Sequence, residues 1–172
     1  LIYLSRYDQA LEWASRARSW YEASGDTLRL ARLDGNVANL LYRQDRFAEA
    51  LPLYQLAESE FRAGGQPRDV AAVLRNKAVC ELSLSRYDDA LATHEEARAF
   101  CERHGLAVLA AEADYNIAYL YFLRGDYLRA RDLYLAARER AHAAGDPYHA
   151  ALCDLDRAEV YLELNLCAEG AE

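Results

Sequence analysis

Residues 87–105 read YDDALATHEEARAFCERHG, and residues 127–145, forty positions on, read YLRARDLYLAARERAHAAG. What the two stretches share is an aromatic, an alanine three places later, a second alanine seven beyond that, and a closing glycine: Tyr87, Ala90, Ala97, Gly105 and Tyr127, Ala130, Ala137, Gly145. The same columns run back through Phe47, Ala50, Ala57, Gly65 and through Tyr7, Ala10, Ala17, Gly25. A fifth column joins Ala38, Ala78, Ala118 and Ala158, and a sixth joins Asn36, Asn76 and Asn116, with Asp156 in the fourth place. A fixed period of this length marks a repeat architecture, in which one supersecondary unit recurs.

Working outward from these columns, apolar residues inside each period follow helical spacing, as in Leu33, Val37, Leu40, Leu41 and Ala113, Ile117, Leu120, Tyr121. Each period therefore holds two helices. In the first full unit they are expected over residues 27–43 and 47–63, with breaks at Gly64-Gly65-Gln66-Pro67 and, two periods on, Gly145-Asp146-Pro147. Asp45, Ser85 and Asp126 stand just before second helices, where a short oxygen side chain accepts from free amide groups, and are expected to be N-caps. Pro52 sits about a turn into a second helix and predicts a late start or a kink there. The units fall at 1–26 (partial), 27–66, 67–106, 107–146 and 147–172 (partial). A two-helix unit of this size cannot bury its apolar stripe alone, so it stacks on its neighbours.

Composition agrees. Of the 172 residues, 33 are alanine and 27 leucine, strong helix formers that argue against an all-β fold. Twenty basic against 28 acidic residues give a formal charge of −8, which speaks against a partner whose phosphates must be neutralised. Nucleic acid is not expected. Nineteen of the cations are arginine and one, Lys77, is lysine, a bias that points to a GC-rich, bacterial genome. Charges interrupt every apolar run before it reaches membrane-spanning length, and residues 1–11 lack the pattern of a leader. No membrane partner is expected, and the cytoplasm is the expected compartment. Cys80, Cys101, Cys153 and Cys167 show no C-x-x-C spacing and are read as buried small hydrophobes. The chain starts on Leu1 and stops inside a repeat, so it is expected to be a piece of a longer protein.

The small residue in the first helix, the aromatic-x-x-Ala opening the second, and the alanine seven on (Ala38, Phe47, Ala50, Ala57 and their counterparts) resemble the tetratricopeptide repeat. The resemblance implies an all-α, right-handed superhelical α-solenoid of antiparallel helix pairs, without a cofactor. Departures are visible. The family's early tryptophan is replaced by Asp34, Leu74, Asp114 and Asp154, His94 replaces an aromatic, and each unit is about six residues longer than usual. Longer units of this kind are similar to those of kinesin light chains and of bacterial proteins that join such arrays to a caspase-like CHAT domain.

In such solenoids the first helix of each pair lines the concave side. The candidate peptide-binding residues are Arg32, Asn36, Asn39, Arg43, Arg75, Asn76, Tyr115, Asn116, Tyr119 and Asp156. An asparagine amide donates to a peptide carbonyl and accepts from a peptide N–H at once. The resemblance gives Asn36, Asn76 and Asn116 the role of holding an extended backbone, while Arg32, Arg43 and Arg75 select acidic residues and Tyr115 and Tyr119 receive an apolar side chain. The other reading of the same asparagines is that they bond to neighbouring helices and set the superhelical pitch. The family's carboxylate clamp for chaperone tails needs cations at Gly35, Glu112 and Asn116; only Asn39 and Asn76 match it. Chaperone-tail binding is therefore rejected.

Catalysis is not expected. Cys101 and His104 lie three apart, but two groups are too few for a structural metal site, and the chain has no phosphate loop, H-E-x-x-H or G-x-S-x-G. The expected function is a scaffold module that binds a protein or peptide within a larger regulator. The alternative is an assembly module, a homo-oligomer formed through uncapped ends.

Overall fold

The computed structural model describes residues 2–164. Among them are eight helices and no strands: α1 (Ile2–Ser24), α2 (Thr27–Tyr42), α3 (Phe47–Ala63), α4 (Pro67–Ser83), α5 (Tyr87–Arg103), α6 (Ala107–Leu123), α7 (Tyr127–Ala144) and α8 (Pro147–Glu163). Two compact units divide within α5, residues 1–90 and 91–172. In the first, α1 packs on α2, α2 on α3 and α3 on α4, with lighter contact between α2 and α4; in the second, α6 packs on α7 and α7 on α8, with lighter contact between α6 and α8. Sequential neighbours in contact, and alternate helices just touching, are the packing of stacked helix pairs.

The turns explain the period. The first seven helices each end on a bond from a residue two to four places past the end back to a carbonyl in the last turn: Asp26 to Tyr21, Gln66 to Phe61, Leu106 to Cys101 and Asp146 to Ala141 for second helices, and Arg46 to Leu41, Arg86 to Glu81 and Asp126 to Tyr121 for first helices. This closure requires a left-handed residue in the turn. Gly25, Gly65, Gly105 and Gly145 supply it after second helices. After first helices the column is Asp45 (φ 58°), Ser85 (φ 59°) and Gly125 (φ 76°).

That column corrects two expected caps. Asp45 and Ser85 are the left-handed turn residues rather than N-caps, and the residue before α3 is Arg46, whose side chain makes no capping bond. Asp126, one place further along its unit, does cap: its carboxylate accepts from the Arg129 amide at 3.4 Å. Asp26 and Asp146 cap α2 and α8 in the same way, accepting from the amides of Arg29 and His149 at 3.1 Å each. The late start expected at Pro52 is absent. α3 begins at Phe47 and runs through the proline, whose exposed ring, like exposed Ala48 one turn earlier, lies on the solvent side.

The small-residue columns form the crossing points. Ala38, Ala50, Ala78, Ala90, Ala118 and Ala130 are all fully buried. Ala118 packs in a cluster with Ala130, Tyr134, Ala137, Cys153 and Val160. Enlarging it has no room to succeed: an Ala118→Leu chain is expected to lose about 1–3 kcal/mol in urea unfolding.

The aspartates in the tryptophan column are ion-paired to the preceding helix. Arg18 binds Asp34, Arg98 approaches Asp114 at 3.4 Å, and Arg138 meets Asp154 at 2.7 Å, each pair sixteen residues apart. The second unit of the repeat breaks the rule at both positions at once. Glu58 stands in the arginine column and buried Leu74 in the aspartate column. Glu58 instead accepts from Lys77, the chain's single lysine, and from Arg62, both at 2.9 Å. Burial pushes the Glu58 carboxyl up, but these two bonds outweigh it and hold the group below its ordinary range.

Candidate functional site

In the first unit the candidate residues separate into a tied set and a free one. Asn39 is half-buried, and its Oδ1 accepts from the Tyr54 hydroxyl at 2.7 Å and from Asn76 Nδ2 at 3.0 Å. Asn76 Oδ1 in turn accepts from Arg75 Nε at 3.2 Å. Tyr54 is 1% exposed, and burial keeps its phenol protonated far above neutrality. The cluster joins α2, α3 and α4 through partly buried polar groups, so its bonds contribute to holding the helices in place. Nothing in the periodic columns announces Asn39, because it has no counterpart in the other units: Val79, Tyr119 and Glu159 stand there instead.

Asn36 is different. It is exposed, makes no hydrogen bond among the described residues, and lines a cavity of about 390 Å³ between α1 and α2 whose other walls are Ala10, Trp13, Ala14, Leu33, Val37 and Leu40. Trp13 is 65% exposed. Apolar walls with one convergent amide are the usual make-up of a recognition pocket. Arg43, two turns further along α2, is exposed and has no ion-pair partner among the described residues, whereas Arg32 is 3.4 Å from Asp69.

In the second unit Asn116 is half-buried and donates from Nδ2 to the Glu112 carbonyl one turn earlier, at 3.0 Å. Tyr115 faces Tyr134 and His149, with ring centroids 5.8 Å apart in each case. Tyr119 is exposed and stacks on Phe122. Asp156 occupies the place of Asn76 one period pair later. Burial and its nearby negative charge keep the Tyr115 and Tyr134 phenols protonated. Yet the Tyr134 hydroxyl and Asp156 Oδ2 are both buried without a hydrogen bond of good geometry. The bridging amide that Asn39 supplies to Tyr54 has no equivalent here.

Among the described residues no group of three or more His, Cys, Asp or Glu could hold a metal ion. Cys80, Cys101 and Cys153 are free and buried, and burial pushes their thiols up to about 11, 11 and 12. Cys167 lies outside the described residues. No described helix is long and apolar enough to cross a membrane.

His94 stands in the column of Tyr54 and Tyr134, is 3% exposed, and leaves Nδ1 without a partner. Burial lowers its imidazole from 6.5 to about 4. Between those values the unfolded chain takes up a proton that the folded chain refuses, so the stability this residue contributes is present above pH 6.5 and lost as the pH falls to 4. A His94→Phe chain is expected to lose less stability than the parent when urea unfolding at pH 7 is compared with pH 4.

The comparisons with known proteins place this geometry. The family model described as Tetratricopeptide repeat matches residues 29–103. No curated protein matches the chain in sequence. Solved structures share its fold, among them the following three. A Signal Transduction ATPase with Numerous Domains carrying a tetratricopeptide repeat sensor, from Pyrococcus horikoshii, superposes with a TM-score of 0.85 at 16% identity, over 98% of this chain and 27% of its own. Aspartyl phosphate phosphatase F from Bacillus subtilis gives 0.78 at 18%, over 98% and 54%. A Rap protein complexed with Competence and Sporulation Factor gives 0.70 at 19%, over 93% and 55%. The chain thus spans about half the length of the latter two and about a quarter of the first. Residues 29–103 match the tetratricopeptide repeat model, and the described chain shares the all-α helical fold of these solved structures.

Proposed function

We propose that the chain is a non-catalytic protein-interaction module that holds an extended segment of a partner protein. The observation that carries this reading is Asn36, an uncommitted amide at the lip of an apolar cavity. A guest backbone bonds to that amide, an apolar side chain enters beside Trp13, and an acidic residue two helical turns away reaches Arg43. The reading is supported by the shared fold with a Rap protein solved in complex with Competence and Sporulation Factor. In the second unit, Asn116 and Tyr119 offer a weaker version of the same chemistry, with one amide hydrogen already used. Asn39 and Asn76 belong to the framework rather than the contact surface. The proposed context is a cytoplasmic multidomain bacterial regulator, of the CHAT-associated kind, for which the support is the arginine bias and the unusual repeat length.

The test uses peptides selected by display on the intact chain. Asn36→Ala is expected to leave the melting curve unchanged and to weaken the selected peptides at least tenfold by calorimetry, the equivalent of one to two hydrogen bonds. Undiminished binding would remove Asn36 from the site.

A second reading, self-association, is favoured by large apolar side chains exposed on the first and last helices: Trp13 and Trp20 on α1, and Tyr148, Leu155 and Leu162 on α8, each at least 59% exposed. Light scattering over a hundredfold concentration range decides it, since a constant monomer mass excludes that role.

A further inference from the structure

We infer that the second unit carries a socket for an aromatic side chain of a partner protein, at the turn between α5 and α6. A cavity of about 360 Å³ opens there, walled by Cys101, Ala107, Ala110, Ala111, Ala143 and Ala144, with Arg140 and Glu102 also lining it. It lies in a different unit from Asn36 and does not depend on the peptide site proposed there.

The chain's own repeats show what is missing from this place. Position 101 belongs to the column Tyr21, Phe61, Cys101, Ala141, and position 110 to the column Leu30, Val70, Ala110, Ala150. Phe61 and Val70 are buried to 3% and 1% exposure, so a ring and a branched side chain are what these columns accommodate one repeat earlier. Forty residues on, a thiol and a methyl replace them. The corresponding turn of the first unit, between α1 and α2, is filled in addition by Leu28, whose side chain sits so close to Gly64 that a Cβ there would collide with it. Eighty residues on, the same two columns hold Val108, which is 44% exposed, and Ala144, which lines the open cavity.

The wall chemistry selects the occupant. Methyl groups and a thiol favour an apolar guest, and sulfur makes favourable contact with ring edges. Arg140 is fixed by two carboxylates, Asp114 at 2.7 Å and Glu102 at 3.4 Å from its Nη1, yet remains half exposed. A guanidinium held in place at an apolar opening is attracted to the face of an aromatic ring and gains nothing comparable from an aliphatic chain. The volume falls in the range of pockets that take small ligand groups. A phenylalanine or tyrosine side chain presented by a partner meets all of these conditions, and it restores the ring that Phe61 contributes in its own repeat.

The thiol on the socket wall makes the test direct. Cys101 and Cys80 are equally buried, at 1% and 0% exposure, and both thiols are pushed up to about 11. Methyl methanethiosulfonate labelling followed by peptide mapping should modify Cys101 at least tenfold faster than Cys80, because Cys101 borders this cavity. Millimolar acetyl-Gly-Phe-Gly-amide should slow that labelling several-fold and shift the amide resonances of residues 101–111 and 140–144, whereas acetyl-Gly-Ala-Gly-amide should do neither. Cys101→Phe fills the socket from within and should abolish the shifts; if that chain does not fold, Ala110→Val narrows the same space and should weaken them. Equal labelling of Cys101 and Cys80, equal effects of the two peptides, shifts that persist in the filled variants, or binding of toluene without binding of the phenylalanine peptide would each overturn the proposal.

Discussion

Tyr134→Ala is expected to lower the free energy of unfolding by about 3–5 kcal/mol, the cost of deleting a buried aromatic whose surroundings cannot close over the gap. Tyr134 is fully buried in the second unit, among Ala118, Ala130, Ala137, Cys153 and Val160. Alanines cannot repack by changing rotamer, so the void stays open. The hydroxyl group contributes little of this. Because it has no well-formed hydrogen bond, Tyr134→Phe should fall within about 1 kcal/mol of the parent, and removing an unsatisfied buried oxygen can even stabilise. Tyr54 is the contrast, since its hydroxyl donates to Asn39 at 2.7 Å. Tyr54→Phe should cost about 1 kcal/mol. Urea unfolding of the four chains separates ring from hydroxyl; equal losses for the two phenylalanine variants would contradict the assigned bonding.

The second large effect is expected at the Arg18–Asp34 pair. Arg18→Ala removes the partner of an aspartate that is 1% exposed and leaves a buried charge uncompensated, at a cost of about 3 kcal/mol, the low end for buried pairs because Arg18 is about a third exposed. Adding Asp34→Leu to the same chain should recover most of that loss, since a buried ion pair exchanged for apolar residues is commonly neutral or stabilising. The chain has already made half of this exchange at Leu74, in the equivalent position. The pH dependence gives an independent check. Burial raises the Asp34 carboxyl above its ordinary value of 3.8, and Arg18 only partly offsets this. A raised carboxyl favours folding while it is protonated, and that advantage is lost as the pH rises through its folded value. The deficit of Arg18→Ala should therefore be smaller at pH 4 than at pH 7, and a deficit independent of pH would mean that Asp34 is not the group left behind.

Helix positions were legible because they depend on local rules that repeat. The repeat columns mark α2 and α3 to within a residue of where they lie, and Pro67 and Pro147 stand at the starts of α4 and α8. The register of the turn was less legible. Asp45 and Ser85 look like caps by residue type, but a short polar side chain also tolerates left-handed backbone, and only Gly125 in the same column reveals which role the position plays. The aspartates of the tryptophan column looked like departures from a family pattern. Their arginine partners recur sixteen residues earlier at Arg18, Arg98 and Arg138, a signal present in the letters but visible only when two columns are compared together.

The candidate site divides in the same way. Asn36, Asn76 and Asn116 share one column and look equivalent, yet Asn76 bonds to Asn39, Asn116 to the Glu112 carbonyl, and Asn36 to nothing among the described residues. The letters alone settled the period, the helix pairs and the alanines at their crossings, because helical spacing and small-residue positions recur from one repeat to the next. Only the tertiary structure decided which amides are spent on neighbouring helices, which aspartate meets which arginine, and where the turn between α5 and α6 leaves a ring-sized space unfilled. Those outcomes turn on the direction and size of side chains projected from adjacent helices, which a shared column position does not fix.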